Sequence, residues 1–484
     1  MTQRSSGLLI PVRALPGPRL QGDFDSARRV IDLLLEAGVR VWQVLPLGPA
    51  HPDNSPYLSL SAHAGNTDLI GLEQLRVSMD WPELREADQG DEAILRQSCL
   101  QRAWQEFRDN ADHPWQDDYR RFLLTHSGWL EDFALFMAIR ESQARAPWLQ
   151  WPPLLRDRDP AALARACCDL AGDMELIGFA QFVFFQQWSS IRAYAGRQGV
   201  RIFGDMPFFV ALDSAEVWAH RENFLLDEQG VAEYVAGVPP DYFSPTGQRW
   251  GNPLYDWERH AESGFQWWID RVRTQRVLYD LIRIDHFRAL CACWHIPAES
   301  DTAESGSWQP APGEALLSAL NEHFTKPCLV AEDLGIITED VVLLRERFHI
   351  PGMRVLQFAF DGSRDNPNLP ENIGEDCVVY TGTHDNDTSL AWYETRHGEE
   401  RQRIDAGLAG FQGTMPWPII ECALASRASL AVLPVQDLLG LGAGHRYNTP
   451  GTTQGNWRWR FRWEDVTAAR LQQLRDLNQQ FDRI

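Results

Sequence analysis

Four short apolar runs in this 484-residue sequence end in groups that move protons or attack carbon. Asp205 closes "VRIFGD"; Arg283, Asp285 and His286 punctuate "LIRIDHF" (281–287); Glu332 and Asp333 end "CLVAED"; His384, Asp385 and Asp387 follow "CVVYTGT". A single carboxylate after an apolar run is ordinarily a capping or solvated loop residue. Several brought to one place are different, because gathered like charges are costly unless they share protons, cations or a substrate. One ionised carboxylate can act as a nucleophile and one protonated carboxyl as an acid.

Those residues converge only if the runs that carry them share a sheet. Eight short apolar, β-branched runs bounded by turn residues recur at 7–15, 39–47, 200–210, 281–287, 328–335, 353–360, 377–385 and 428–437. Segments of helical period fall between them: "DSARRVIDLLLEAG", "SGFQWWIDRVRTQRVLYD", "GEALLSALNEHF" and "TEDVVLLRERFH", the last with Thr338 as its predicted N-cap. Strands apolar on both faces that alternate with helices predict an α/β fold, a (β/α)8 barrel rather than an open sheet. In that fold the C-terminal strand ends form the active-site rim, where all four clusters lie. Two connections exceed ordinary loop lengths. Residues 48–199 are expected to form a mainly helical insertion after the second strand. Residues 211–263, rich in Gly, Pro and aromatics, are expected to form an active-site loop insertion after the third, within a single catalytic barrel over 1–484.

Composition removes other classes. A formal charge of −22, from 67 acidic and 45 basic residues, disfavours nucleic-acid phosphates and anionic membranes. The N-terminus has no basic and apolar leader and no stretch is long and apolar enough to span a bilayer, so a cytoplasmic protein is expected. Eight cysteines without CxxC spacing are read as reduced, and "CACWHIP" lacks a fourth metal ligand nearby. No GxxxxGK[ST] occurs and no GxGxxG follows a strand. Two or three carboxylates with Arg and His, but no phosphate loop, suit retaining glycosyl transfer, which needs a nucleophile, a proton donor and stabilisation of an oxocarbenium-like transition state. That chemistry requires neither metal nor nucleotide. The 20 tryptophans fit sugar stacking but more often fill core.

"RIDHFR", "VAEDLG" and "TGTHDNDT" resemble the strand-end motifs of the α-amylase clan. "WQVLPLGP", "SPYLSLSAHAGN", "GDMPFFVALDSAEVWAH", "GVPPDYFSPTGQRWGNPLYDW", "VLPVQDLLGLG" and "RYNTPGTTQGNWRWR" narrow the resemblance to the amylomaltases, the 4-α-glucanotransferases or disproportionating enzymes of glycoside hydrolase family 77. It runs from near residue 7 to near residue 463, with independent motifs in the family's order.

The resemblance implies a (β/α)8 barrel that transfers part of a 1,4-α-glucan to the 4-OH of another, without a cofactor. It makes Asp285 the nucleophile, Glu332 the general acid/base and Asp385 the transition-state-stabilising carboxylate. Arg283 would hold Asp285 ionised, Asp205 would be a supporting acid, and His384 would bind donor hydroxyls. Tyr57 would stack on the sugar next to the scissile bond. Tyr242, Phe243, Gln248 and Trp250 would lie in a covering loop, and Asn448 and Trp457 in the final motif. Maltooligosaccharides would be the partners. An α-glucan hydrolase with the same carboxylates, or a catalytically dead glucan-binding protein, are the competing readings; the second would require a lost carboxylate, and none is lost. The chain departs from the family at Ala289, Cys291 and Cys293, where Gly, an acidic residue and Tyr are usual, and at His63 and Thr67, where Phe and Pro are common.

Overall fold

The computed structural model describes residues 4–17, 22–82, 92–240, 244–325 and 328–484. Eight parallel strands carry the architecture: β1 (Ser5–Leu9), β2 (Val41–Gln43), β3 (Arg201–Met206), β4 (Leu281–Ile284), β5 (Leu329–Ala331), β6 (Gly352–Val355), β7 (Cys377–Tyr380) and β8 (Leu430–Pro434). The sheet runs β6-β7-β8-β1-β2-β3-β4-β5. It closes toward a barrel where the Ala331 N–H donates to the Pro351 carbonyl, at 2.8 Å, and β5 meets the start of β6. Each strand overlaps one of the eight apolar runs, and α-helices fall between successive strands except β6 and β7, which only a short 3-10 turn (Leu356–Phe358) separates.

Strand parity decides what the barrel contains. Leu9, Val41, Phe203, Leu281, Val330, Met353, Val378 and Leu430 pack together in the interior. Two residues further along, the same face carries Gln43 on β2, Asp205 on β3, Arg283 on β4, Tyr380 on β7 and Val432 on β8. The other face of each strand packs on helices. There Trp188 lies between Phe24 and Trp42, at 5.2 and 6.0 Å between ring centroids, and donates its indole N–H to the Leu278 carbonyl at 2.8 Å. Gly204 on β3 belongs to that outer face, and a Cβ there would lie 2.1 Å from the Tyr279 ring. The strand can therefore approach the segment entering β4 only without a side chain.

Between β2 and β3 the chain forms helices at Glu92–Asp109, Gln116–Ser142, Pro160–Asp169 and Ala171–Arg197. The last helix reaches both ways: Phe179 meets Phe107 at 5.1 Å, while Trp188 sits on the barrel. The stretch after β3, expected as a loop, is more ordered than that. Tyr234–Val238 and Gln248–Pro253 join Ala292–Pro297 and Ser307–Pro310 in a four-stranded antiparallel sheet. The first two pair locally, but the strands that complete the sheet come after β4 in the chain. Thr338 occupies the N-cap of Glu339–Arg347 without capping it through its side chain. Its hydroxyl instead accepts from Arg288 at 2.8 Å. Among the described residues, no helix is long and apolar enough to cross a membrane.

Candidate active site

Parallel register brings the first pair together. Asp205 and Arg283 are aligned partners of β3 and β4 and point the same way, so a carboxylate and a guanidinium meet one strand spacing apart. Arg283 Nη1 lies 2.7 and 2.8 Å from the two Asp205 oxygens and 2.9 Å from Asp285 Oδ1. Asp205 is 1% exposed and Arg283 5%. Burial opposes the Arg283 charge, but Asp205 and Asp285 outweigh it and raise the guanidinium pKa well above its ordinary value. Asp285 is the open member of the trio, with its side chain 30% exposed. The Tyr57 hydroxyl also donates to Asp205, at 2.7 Å to Oδ2.

Glu332 arrives from β5, two residues past the inward Val330. Its partners are backbone amides: the His286 N–H at 2.7 Å on one oxygen and the Leu334 N–H at 3.0 Å on the other. His286 can aim its N–H at Glu332 because it sits in the left-handed region, with φ 56° and ψ 53°, immediately beyond β4. Burial raises the Glu332 pKa to about 7, with the Asp285 charge adding to it and Arg283 opposing. Of the two raising causes, desolvation is larger than the Asp285 charge. Its neighbour Asp333 has the opposite parity and turns away, accepting from the Met353 N–H at 2.6 Å and pairing with Arg354 and Arg345 at 3.2 and 3.4 Å.

Asp385 lies on the loop after β7. His384 Nε2 is 3.3 Å from its Oδ2, and Asn448 Nδ2 donates to its Oδ1 at 2.6 Å. Burial pushes the carboxyl up, yet His384 and Asn448 overcome that and carry it down to about 2. The Asn448 N–H donates to the His384 carbonyl at 3.1 Å, and Arg446 donates to the carbonyls of Asp385 and Asn448. Tyr57 stacks on the His384 ring at 5.1 Å and 16°, and Trp457 lies 5.8 and 6.1 Å from those two rings.

The sequence-predicted residues Tyr57, Asp205, Arg283, Asp285, Glu332, His384, Asp385 and Asn448 are thus linked at one end of the barrel. Trp250 is on the small antiparallel sheet and meets the His286 ring edge-on at 4.9 Å, and Gln248 accepts from the Trp250 indole at 3.2 Å. Tyr242 and Phe243 lie outside the described residues. Arg446 and Asp437 escaped the reading although "RYNTPG" and "VLPVQD" contain them, because neither residue type alone signals a partner on the β7 loop. Burial pushes the Cys291 and Cys293 thiols up to about 11 and 12, which leaves them protonated and unreactive at neutral pH.

With that geometry in place, comparison with known proteins decides the family. The family model for 4-alpha-glucanotransferases, glycoside hydrolase family 77, matches residues 10–467. The chain belongs to this family. A 4-alpha-glucanotransferase of Thermus thermophilus is 45% identical over 99% of both chains, and one of Streptococcus pneumoniae is 38% identical over 100% of this chain and 98% of its own. The solved amylomaltase of Streptococcus agalactiae, in complex with acarbose, superposes with a TM-score of 0.93 at 34% identity, covering 99% of this chain and 100% of its own. As a 4-alpha-glucanotransferase family member, the chain is a transferase with a (β/α)8 barrel.

Proposed function

We propose that this rim transfers a segment of a 1,4-α-glucan to the 4-OH of an acceptor glucan or glucose by a retaining double displacement. The observation that carries the reading is the unequal treatment of two neighbouring carboxyls: Arg283 contacts Asp285 directly, whereas Glu332 is met by backbone amides and has its pKa raised to about 7. The guanidinium orients Asp285 for attack, and burial, against the pull of the two amides, leaves Glu332 able to carry a proton near neutrality.

In the first half-reaction, an Asp285 carboxylate oxygen forms a bond to the anomeric carbon while the bond to the glycosidic oxygen breaks. Glu332 gives its proton to that departing oxygen. Asp385, ionised down to about pH 2, faces the positive charge that develops on the ring. Forming the ester removes the Asp285 charge from beside Glu332. In the second half, Glu332 takes the proton from an acceptor 4-OH, whose oxygen attacks the anomeric carbon and releases Asp285. Two inversions give retention. Maltooligosaccharides are the substrates this reading requires, and the cytoplasm is the compartment in which we place the enzyme.

Trapping with a fluorinated, slowly released donor tests the assignment. The label is expected on the peptide containing Asp285; a label elsewhere overturns it. Incubation with maltotriose is expected to give longer chains together with glucose, whereas glucose and maltose alone would make the rim hydrolytic.

A further inference from the structure

The Asp385 loop is held from below by a group that touches no substrate. It runs from Tyr380, the last residue of β7, to Ser389, the first residue of the helix Ser389–Glu394. Asp437, just past β8, lies beneath it and is 1% exposed. One of its oxygens accepts from the Thr381 hydroxyl at 2.5 Å and the Ser389 hydroxyl at 2.7 Å; the other accepts from the Ser389 N–H at 2.8 Å. Thr381 and Ser389 are both 0% exposed. The carboxyl therefore ties together the two ends of the segment that presents His384 and Asp385.

These partners are neutral hydroxyls and an amide, the costlier way to bury a carboxylate, and an apolar side chain of similar size would fill the space more cheaply. What the carboxyl supplies instead is position. Between the tied ends, Asn386 Oδ1 accepts from the Thr383 N–H and hydroxyl at 2.9 and 2.8 Å, which closes an internal turn. From the β6 side, Gln357 Nε2 donates to the Asp387 carbonyl at 2.9 Å. With its ends and turn fixed, the loop projects the His384 ring and the Asp385 carboxylate into the rim. We propose that Asp437 is a positioning residue for glucanosyl transfer: by clamping Thr381 to Ser389 it sets the place at which Asp385 meets the charge developing on the donor ring.

The inference rests on Asp385 being the stabilising carboxylate, and the test separates the two. Asp437→Ala is expected to lower kcat for maltotriose by roughly 10- to 100-fold, the scale of a misplacement of about an ångström. In an Asp385→Asn background the same change is expected to cost less than about 3-fold, because residues acting as a unit are non-additive. Asp437→Asn is expected to retain most of the activity: its carbonyl can accept the Ser389 N–H, while the Thr381 and Ser389 hydroxyls rotate to accept from its amide. Equal losses from Asp437→Ala in both backgrounds, or full kcat in that variant, overturn the inference. A negligible effect of Asp385→Asn alone overturns the reading of Asp385 instead. Should Asp437→Ala fail to fold, Thr381→Val removes one bond of the clamp and is carried through the same two backgrounds, with the same pattern of non-additive loss expected and equal losses again overturning the inference.

Discussion

Glu332 and Asp385 are carboxyls at strand ends of one barrel, yet one is pushed up to about 7 and the other drawn down to about 2. The difference lies in what each is given. Glu332 receives burial and two backbone amides, with the Asp285 charge beside it. Asp385 is more open, its side chain 43% exposed, and receives a histidine and an asparagine amide aimed at its oxygens. Desolvation penalises the charged form, and donors favour it. Both carboxyls are desolvated and both accept two hydrogen bonds, so a single barrel end holds an acid and an anion at the same pH by setting the Asp285 charge beside one and the His384 ring beside the other.

The largest break of that contrast comes from removing the proton. Glu332→Gln keeps the shape and is expected to reduce transfer from maltotriose by roughly 10²- to 10⁴-fold, the range for general acid–base catalysis. With an α-glucosyl fluoride, whose leaving group departs without protonation, the first step is expected to lose much less. Equal losses with both donors would remove Glu332 from the acid role. In the unmodified enzyme, activity should fall as pH rises through about 7, because the acid form is then depleted.

A smaller break is available on the other side. Asn448→Ala deletes one of the two side-chain donors to Asp385 and raises its pKa from about 2 toward the ordinary carboxylate range. Charge-assisted hydrogen bonds contribute about 1.5–3 kcal/mol, so kcat is expected to fall by roughly 10- to 100-fold. The acid limb of the pH–rate profile should move upward at the same time. A fall in kcat with an unmoved limb would place Asn448 on the sugar rather than on Asp385.

How much of this was legible differs between the same two regions. The apolar runs marked all eight strands, and once β3 and β4 are neighbours, parity and register bring Asp205 to Arg283 and Arg283 to Asp285. Strand ends were less legible. "VRVWQVLPL" shrinks to Val41–Gln43 because Val44, Leu45 and Leu47 remain buried in the loop that follows, so burial outlasts the strand. The small antiparallel sheet is not legible because its two local pairs, one before β4 and one after it, are joined only by the pairing of Tyr234–Val238 with Ala292–Pro297 across β4. The environment of Asp385 was hardest to read. Asn448, Arg446 and Asp437 come from segments 48 to 63 residues away in sequence from their partners, and no periodicity or spacing links them to the β7 loop. The β3–β4 rim follows from strand geometry; the β7 loop follows from tertiary contacts.

The smallest effect is one of stability, and its sign distinguishes the two carboxyls. Glu332 has a folded-state pKa raised above its ordinary 4.5 to about 7. The folded protein therefore holds this proton more tightly than the unfolded chain. Its contribution is fully present below about 4.5 and is lost as pH rises through about 7, beyond which the folded state keeps an ion it disfavours. Asp385 has the opposite sign: its contribution is present above the ordinary 3.8 and is lost as pH falls through about 2. Glu332→Gln removes the first liability, so the variant's advantage in thermal midpoint over the parent should be larger at pH 8 than at pH 5. A shift of this size corresponds to at most roughly 3 kcal/mol, and in a chain of this length each kcal/mol moves the midpoint by only about 1 °C. The measurement is therefore a difference of differences: both proteins at both pH values, at one scan rate. An advantage that is equal at the two pH values, or larger at pH 5, would mean that Glu332 does not bind its proton more tightly in the folded state, and the contrast with Asp385 would lose its electrostatic basis.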